Sequence, residues 1–376
     1  MKSKRIKNII VIAVFFLLLC LPPLLSVFLP DAESSRSERR QLLQLESFSE
    51  RKEGKPGFGL REYFAYIEDY LLDQYPARDG FRRVSAFWKT GVLRQKDNAG
   101  YYRLGDGLYK LDGELSEMAV RDAVGRINDV YAQYFAGTGA RAYYAVIPDK
   151  SCYVPAGRGY PSLDWDGLFS VVEDNIDGDL TKIDLTGVLG PDNYYATDPH
   201  WSQPEILPCA DVLLNAMGRG AASDRDFRHH ELYPFYGAYY GHSALGGEPD
   251  TLVYLTDAAT DAAQVFNFET GETGGVYNEG DFDNIDPYDV FLQGAAALLR
   301  IDNPAQENGR QLVLFRDSFG SSIAPLLMGE YSQVLVVDIR YVSPSMLGRL
   351  VEFDGGCDVL FLYSSSVLNS VGAFMR

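Results

Sequence analysis

Two short segments carry residue types suited to acyl transfer. Thr197-Asp198-Pro199-His200-Trp201 sets a histidine two residues after a carboxylate, and Arg316-Asp317-Ser318-Phe319-Gly320 puts a serine just after an apolar run. A serine hydroxyl attacks a carbonyl only when a neighbouring base takes its proton, and an imidazole serves best when a carboxylate fixes its tautomer. The chain has four histidines, His200, His229, His230 and His242, so few residues can be that base. In a turn, the Asp-x-His spacing lets the carboxylate accept from one ring nitrogen while the other faces outward. Alone, each segment has a plain structural role: a surface histidine in one case, a helix-capping serine in the other. Asp317 reads as a turn residue.

The elements around them are legible from periodicity. Residues 311–315 read as a strand, 321–328 as a helix despite Pro325, 333–339 as a strand, 343–353 as a helix and 357–363 as a strand. That is βαβαβ, and in such sheets ligands sit beyond the carboxyl ends of the strands. Ser318 falls at such an end, where a helix N-terminus would offer N–H groups to a developing oxyanion. Ser202-Gln203-Pro204-Glu205 reads as a capping box that opens a helix after His200. Upstream, 58–93 has helical apolar spacing at Leu60, Phe64, Ile67 and Leu71. Residues 101–111 read as a hairpin turning at Gly105-Asp106-Gly107, 116–135 as an amphipathic helix capped by Ser116, and 142–147 as a strand. Alternating helices and strands predict an α/β fold, a parallel sheet flanked by helices.

With 376 residues, 46% of them hydrophobic, the chain can form one large domain with small additions. The net charge of −18 argues against binding nucleic acid or an anionic lipid surface, since either polyanion would be repelled. Between Arg228 and Arg300 there is no Lys or Arg; residues 229–299 read as a β-rich acidic insertion or a long active-site surface, with strand-like pieces at 251–255 and 264–268. Asp281, Asp283, Asp286 and Asp289 lie within it at a spacing unlike an EF-hand, and read as a solvated loop. Cys20, Cys152, Cys209 and Cys357 are too few for a disulfide scaffold and read as free thiols, with a single bridge left open.

Lys2, Lys4, Arg5 and Lys7 precede an apolar run over 9–29. About 20 apolar residues can span a bilayer, and the basic flank would stay in the cytoplasm. Residues 1–30 therefore read as a transmembrane anchor with the rest outside; a cleaved signal peptide is the alternative. Residues 31–57 read as a polar stalk or a solvated helix, and 58–376 as the functional domain.

The segment Tyr195-Ala196-Thr197-Asp198-Pro199-His200-Trp201 resembles the signature of the DHHW family, which is related to alginate O-acetyltransferase proteins of the SGNH-hydrolase-like superfamily. Other blocks agree in order: Asp73-Gln74-Tyr75-Pro76-Ala77-Arg78-Asp79, Pro148-Asp149-Lys150, Phe235-Tyr236-Gly237-Ala238-Tyr239-Tyr240, Arg316-Asp317-Ser318-Phe319 and Asp338-Ile339-Arg340-Tyr341. Pro199 stands in place of the first histidine of DHHW. Arg316 stands where many SGNH enzymes carry glycine, which predicts a crowded approach to the serine.

The resemblance implies an SGNH-like fold with Ser318 as nucleophile, His200 as base and Asp198 as the orienting carboxylate. Arg340, Phe319 and Tyr195 are the candidates for contact with the oxyanion or substrate; Arg340 serves equally well as half of a salt bridge. For a second oxyanion donor only Asn278 and Asn284 offer themselves. The implied activity is O-acetyl transfer to, or acetyl-ester hydrolysis on, a cell-surface polysaccharide, without metal or organic cofactor. A transferase of this kind implies a membrane-bound O-acyltransferase that supplies acetyl groups. The acidic stretch favours a neutral or amino-sugar acceptor. The reading from a different class is a non-catalytic module of the same fold that binds glycan or helps assemble the cell envelope.

Overall fold

The structure is a computed structural model and describes residues 2–53, 55–155 and 157–374. The chain divides into two units, Met1–Ala99 with Gly241–Gly246, and Gly100–Tyr240 with Gly247–Arg376. The expected boundary near residue 58 thus lies inside the first unit.

The larger unit is built on an eight-stranded sheet. Its strands in chain order are β1 (Arg141–Ile147), β2 (Thr181–Lys182), β3 (Gln264–Asn267), β4 (Thr273–Gly274), β5 (Leu298–Asp302), β6 (Gln311–Arg316), β7 (Gln333–Val337) and β8 (Asp358–Ser364). Across the sheet they run β4-β3-β5-β7-β6-β8-β1-β2. β7, β6, β8, β1 and β2 are parallel, and β5, β3 and β4 add an antiparallel edge. β6 and β8 are buried along their whole length, as expected of strands covered on both faces and therefore apolar without alternation.

Successive side chains of β6 feed two different cores. Val313 and Phe315 pack with α1 (Glu117–Tyr134) and α2 (Trp165–Asn175), whereas Leu312 and Leu314 pack with α3 (Leu207–Ala216) and α4 (Gly320–Leu327). The result is three layers, helix, sheet, helix. α1 forms where its spacing predicts: Ser116 Oγ accepts the Ala119 N–H at 3.3 Å, and Val120, Ala123, Val124, Ile127 and Val130 make its buried stripe. The hairpin also forms, as Tyr101–Leu104 paired with Gly107–Lys110, with Gly105 at φ 60° in the turn.

Three expectations need correction here. The helix expected over 343–353 is reduced to a 3-10 turn, Pro344–Met346, and one α turn, Leu347–Leu350, after which Val351 is extended. The acidic stretch 229–299 is no separate insertion. It supplies β3, β4 and the start of β5, and most of the antiparallel ladder Arg228–Phe235 with Asp250–Thr256. The box at Ser202 to Glu205 does not cap: Gln203 is helical and makes no capping bond, because its amide is buried against the Ser322 carbonyl and the Leu255 N–H. All four cysteines are free.

In the smaller unit, the segment expected as a stalk is tied down. Arg40 Nη1 bonds Asp73 at 2.8 Å, Tyr63 reaches the Glu46 carbonyl at 3.1 Å, Tyr66 bonds the Gln44 carbonyl, and Gln74 Nε2 reaches the Ala32 and Leu43 carbonyls at 3.0 and 2.9 Å. The N-terminal run forms the helix Lys2–Phe28. Among the described residues, however, no helix is long and apolar enough to cross a membrane.

Candidate active site

Asp198 and His200 ride on a narrow loop closed by backbone bonds. The Ser202 N–H donates to the Asn193 carbonyl at 2.8 Å and the Tyr195 N–H to the His200 carbonyl at 3.1 Å, while Tyr194 and Trp201 pair as an antiparallel bridge. Between these rungs the chain must turn at Thr197-Asp198-Pro199, and both functional side chains stand at the tip. Ser318 comes from the other direction, two residues past the end of β6 and two before α4.

The two loops converge. His200 Nε2 lies 2.8 Å from Ser318 Oγ, and His200 Nδ1 lies 2.6 Å from Asp198 Oδ1. Asp198 is fully buried, His200 is 8% exposed, and Ser318 is half-buried. Asp198 Oδ2 accepts the Ala238 N–H at 2.7 Å, so each carboxylate oxygen has a donor. The imidazole is held flat against the ring of Tyr288, with centroids 4.0 Å apart and planes 10° apart; Phe319 packs beside it at 4.9 Å. Tyr288 is itself fixed, since its hydroxyl donates to Ser322 Oγ at 2.8 Å, as does Trp201 Nε1 at the same distance. This arrangement can move a proton from the Ser318 hydroxyl to an oriented imidazole.

Asp317 is the turn residue that sets up the serine. Its Oδ1 accepts the Phe319 N–H at 3.0 Å and its Oδ2 the Ser364 N–H at 2.7 Å, joining the end of β6 to the end of β8. The Gly320 N–H donates to the Asp317 carbonyl and the Ser321 N–H to that of Ser318. The N–H groups at the start of α4 are therefore engaged. Among the described residues the N–H of Ser318 itself donates to no group.

The predicted contact residues are held by partners within the protein. Tyr195 is 4% exposed, packs on Phe235, and serves the loop through its backbone. Phe319 is buried between His200 and Trp201, with its N–H on Asp317. Arg340 grips Asp338 with two bonds, 2.9 and 2.6 Å; burial opposes its charge, but Asp338 more than offsets this and holds the guanidinium protonated. Of its two roles, the salt bridge is the one the geometry supports. Asn278 caps Gly280 at 3.2 Å and Asn284 bonds Asp281 at 2.9 Å. The crowding expected from Arg316 does not arise. Its side chain runs inward beneath Gly320, where a methyl group would lie 2.4 Å from Arg316 Cβ, and reaches the Gly294 carbonyl at 3.2 Å and Asp338 at 3.8 Å. Burial draws its pKa downward.

Two residues that hold the loop went unnoticed in the sequence as parts of the site. Lys150, 4% exposed, donates to the carbonyls of Tyr195 (3.0 Å), Ala196 (3.2 Å) and Asp198 (2.8 Å). Burial pulls its pKa down to about 7, against the opposite pull of Asp198 and Asp250. Asp250 accepts from the Ala196 and Thr197 N–H groups, each at 2.8 Å, and from the Thr197 hydroxyl at 2.5 Å. Lys150 lay in a recognised block without an assigned role, and Asp250 had no local signal. Among the described residues no group of His, Cys, Asp and Glu is arranged to hold a metal.

Two structures with this fold are a DHHW family protein from Eubacterium siraeum and PatB1 from Bacillus cereus. The first is 18% identical, with a TM-score of 0.59 over 74% of this chain and 94% of its own. The second is 17% identical, with a TM-score of 0.59 over 73% of this chain and 99% of its own. A PatB1 structure with a sulfonyl adduct matches at the same level. No curated protein matches the chain. The family model described as DHHW protein matches residues 190–337, and that DHHW segment is the one that carries Asp198, His200 and Ser318.

Proposed function

We propose that this chain is an exported enzyme that transfers or hydrolyses O-acetyl groups on a cell-surface polysaccharide through Ser318, His200 and Asp198. The observation that carries the proposal is the chain of contacts from Asp198 through His200 to Ser318, 2.6 and 2.8 Å long, assembled from loops 118 residues apart. DHHW similarity over the same residues supports it, and export rests on the basic flank and apolar run at the N-terminus.

Ser318 Oγ attacks the carbonyl carbon of an acetyl donor while its proton passes to His200 Nε2. The new C–O bond makes a tetrahedral oxyanion, toward which the Ser318 N–H is one donor. Collapse breaks the bond to the leaving oxygen, which takes the proton from His200, and leaves an acetyl-Ser318. A sugar hydroxyl, or water, then gives its proton to His200 and attacks the acetyl carbon; Ser318 Oγ leaves and recovers the proton. Asp198 holds the imidazole so that Nδ1 keeps its hydrogen throughout. A membrane acyltransferase as acetyl source, and a neutral or amino-sugar acceptor, belong to the same proposal.

The test is turnover of a chromogenic acetyl ester together with labelling by a sulfonyl fluoride. The proposal expects ester cleavage, and one sulfonyl group per chain on Ser318 by intact mass and peptide mapping. Both vanish in Ser318→Ala, and His200→Ala abolishes turnover. A folded chain with no turnover and no label, whose glycan binding survives both changes, would make it a binding module instead.

A further inference from the structure

One turn of the larger unit is left-handed for three residues running. Leu292, Gln293 and Gly294 have φ of 50°, 59° and 74°. Leucine and glutamine seldom adopt this conformation, and it persists only where the surroundings enforce it. Three bonds do so here. The Leu292 N–H donates to the Val276 carbonyl at 3.0 Å, the Gly294 N–H to that of Phe291 at 3.1 Å, and Arg316 Nη2 to that of Gly294 at 3.2 Å. The turn buries Leu292 in the core and leaves Gln293 to line a groove of ≈ 550 Å³. Gln293 Oε1 accepts from Asn267 Nδ2 at 3.0 Å, which fixes the amide. Among the described residues Gln293 Nε2 has no acceptor. Gly274 stands beside it, where a methyl group would lie 3.2 Å from that nitrogen.

The rest of the groove offers hydrogen bonds and negative charge. Asn278 and Asn284 add amides, Thr273 a hydroxyl, and Glu272, Asp281 and Asp289 carboxylates; none of its lining residues is Lys, Arg or His. Among the described residues the Glu272 carboxylate has no donor. Asp281 accepts from Asn284 Nδ2 at 2.9 Å. Arg300, on the adjoining strand β5, turns instead to Asp302 at 2.8 Å. No group of His, Cys, Asp and Glu among the described residues is arranged to hold a metal. Fixed amides beside unpaired carboxylates match a ligand rich in hydroxyls that also carries a positive charge, and they repel an anionic one. A sugar with a free amine is such a ligand. The groove also adjoins the triad. Asp289 follows Tyr288, whose ring lies on His200, and Arg316, which holds the Gln293 turn, precedes Ser318 by two residues.

We infer that this groove is an acceptor subsite that holds an amino-sugar residue, its amine protonated, while another part of the same glycan reaches Ser318. The inference rests on the proposed function for its substrate, but its test needs no turnover. Full-length Ser318→Ala is titrated by calorimetry with the tetrasaccharides of glucosamine, N-acetylglucosamine and galacturonic acid. The glucosamine tetramer binds about tenfold more tightly than the N-acetylated one, added salt narrows that gap, and the galacturonate does not bind. Glu272→Gln with Asp281→Asn, on the same background, removes the tenfold preference and leaves the N-acetylated tetramer unaffected. Gln293→Ala weakens both by about fivefold, and Gly274→Tyr, which fills the space beside Gln293, abolishes both. Thermal midpoints within about 2 °C of the parent show that these variants are folded. Equal binding of glucosamine and galacturonate tetramers overturns the amino-sugar assignment. Binding that survives both Gln293→Ala and Gly274→Tyr overturns the subsite. Ester turnover by the unaltered chain, with no glycan bound by Ser318→Ala, overturns the subsite alone. Glycan held in the groove of a chain that turns over no ester overturns the enzyme and leaves the groove as a binding site.

Discussion

Asp198 Oδ2 accepts the backbone N–H of Ala238 at 2.7 Å, across 40 residues of chain. This contact fixes which way the carboxylate faces, because Oδ1 is then left to His200 Nδ1. It gives Asp198→Asn a defined outcome. With the amide oxygen kept on the Ala238 N–H, the NH₂ faces Nδ1 and also the His200 N–H that bonded Oδ1 at 3.1 Å. The imidazole then carries its hydrogen on Nε2 and cannot accept from Ser318. Acetyl-ester kcat is expected to fall about 10³- to 10⁴-fold, while the thermal midpoint moves only about 2–4 °C. An unchanged kcat would remove Asp198 from the mechanism.

Gly237 is where the strap carrying Ala238 meets the triad loop. Its N–H donates to Thr197 Oγ1 at 2.8 Å, and a methyl group there would stand 2.2 Å from the Thr197 carbonyl oxygen and 2.5 Å from Asp198 Cβ. The neighbours are backbone and a buried carboxylate stem, so neither can swing aside. Gly237→Ala is expected to destabilise the fold by about 1–3 kcal/mol, seen as a lower urea midpoint, and to reduce kcat by displacing Asp198. A midpoint equal to that of the unaltered chain would show that the strap yields.

The central parallel strands β1, β6, β7 and β8 were legible because burial on both faces writes an unbroken apolar run, as at Leu312 to Phe315 and Val359 to Leu362, whereas β2, β4 and β5 were not read. The grouping of Asp198, His200 and Ser318 was legible from the resemblance, since Asp-x-His and a serine after a strand are common separately. What the sequence hid depends on distant partners. Lys150 reaches carbonyls 45 to 48 residues away, and Asp250 reaches N–H groups 53 and 54 residues away; backbone acceptors and donors leave no trace in side-chain type. The stripe Leu60, Phe64, Ile67, Leu71 has the period of a helix packed on a core. Here, though, the tyrosines of the opposite face make the contacts, because each can bury a ring and still satisfy its hydroxyl.

Lys150 supplies three bonds to the loop that carries Asp198 and His200. Lys150→Met leaves the Tyr195 and Asp198 carbonyls without that donor, while the Ala196 carbonyl keeps the Leu108 N–H at 2.8 Å, and is expected to cost about 2–4 kcal/mol. The pH dependence distinguishes this residue from an inert core position. Its pKa is about 7 in the fold against 10.5 ordinarily. Between those values the unfolded chain holds a proton that the folded chain has released, so Lys150 makes stability rise with pH across that window, by at most about 1.4 kcal/mol per unit. Unfolding free energies of the chain and of Lys150→Met, measured from pH 7 to 10, should therefore diverge as pH rises. Parallel curves would show that Lys150 keeps an ordinary pKa.

Tyr288 makes two separable contributions to the site. Its hydroxyl is one of two donors to Ser322 Oγ, the other being Trp201 Nε1, and Ser322 in turn lies 3.4 Å from the Phe319 carbonyl. Its ring lies flat on His200. Tyr288→Phe removes the first contribution and keeps the second: stability should fall by about 1 kcal/mol, with kcat little changed. Tyr288→Leu removes the flat surface as well. The imidazole then gains room to tilt out of line with Ser318, and misplacement of a reacting group by about 1 Å costs about 10²-fold. Tyr288→Leu should therefore lose kcat well beyond what its stability loss explains, with KM little altered, because Tyr288 is buried and positions the base without meeting substrate. If Phe and Leu at 288 lower kcat equally, the hydrogen bond to Ser322 is what holds the imidazole, and the ring contact is only packing.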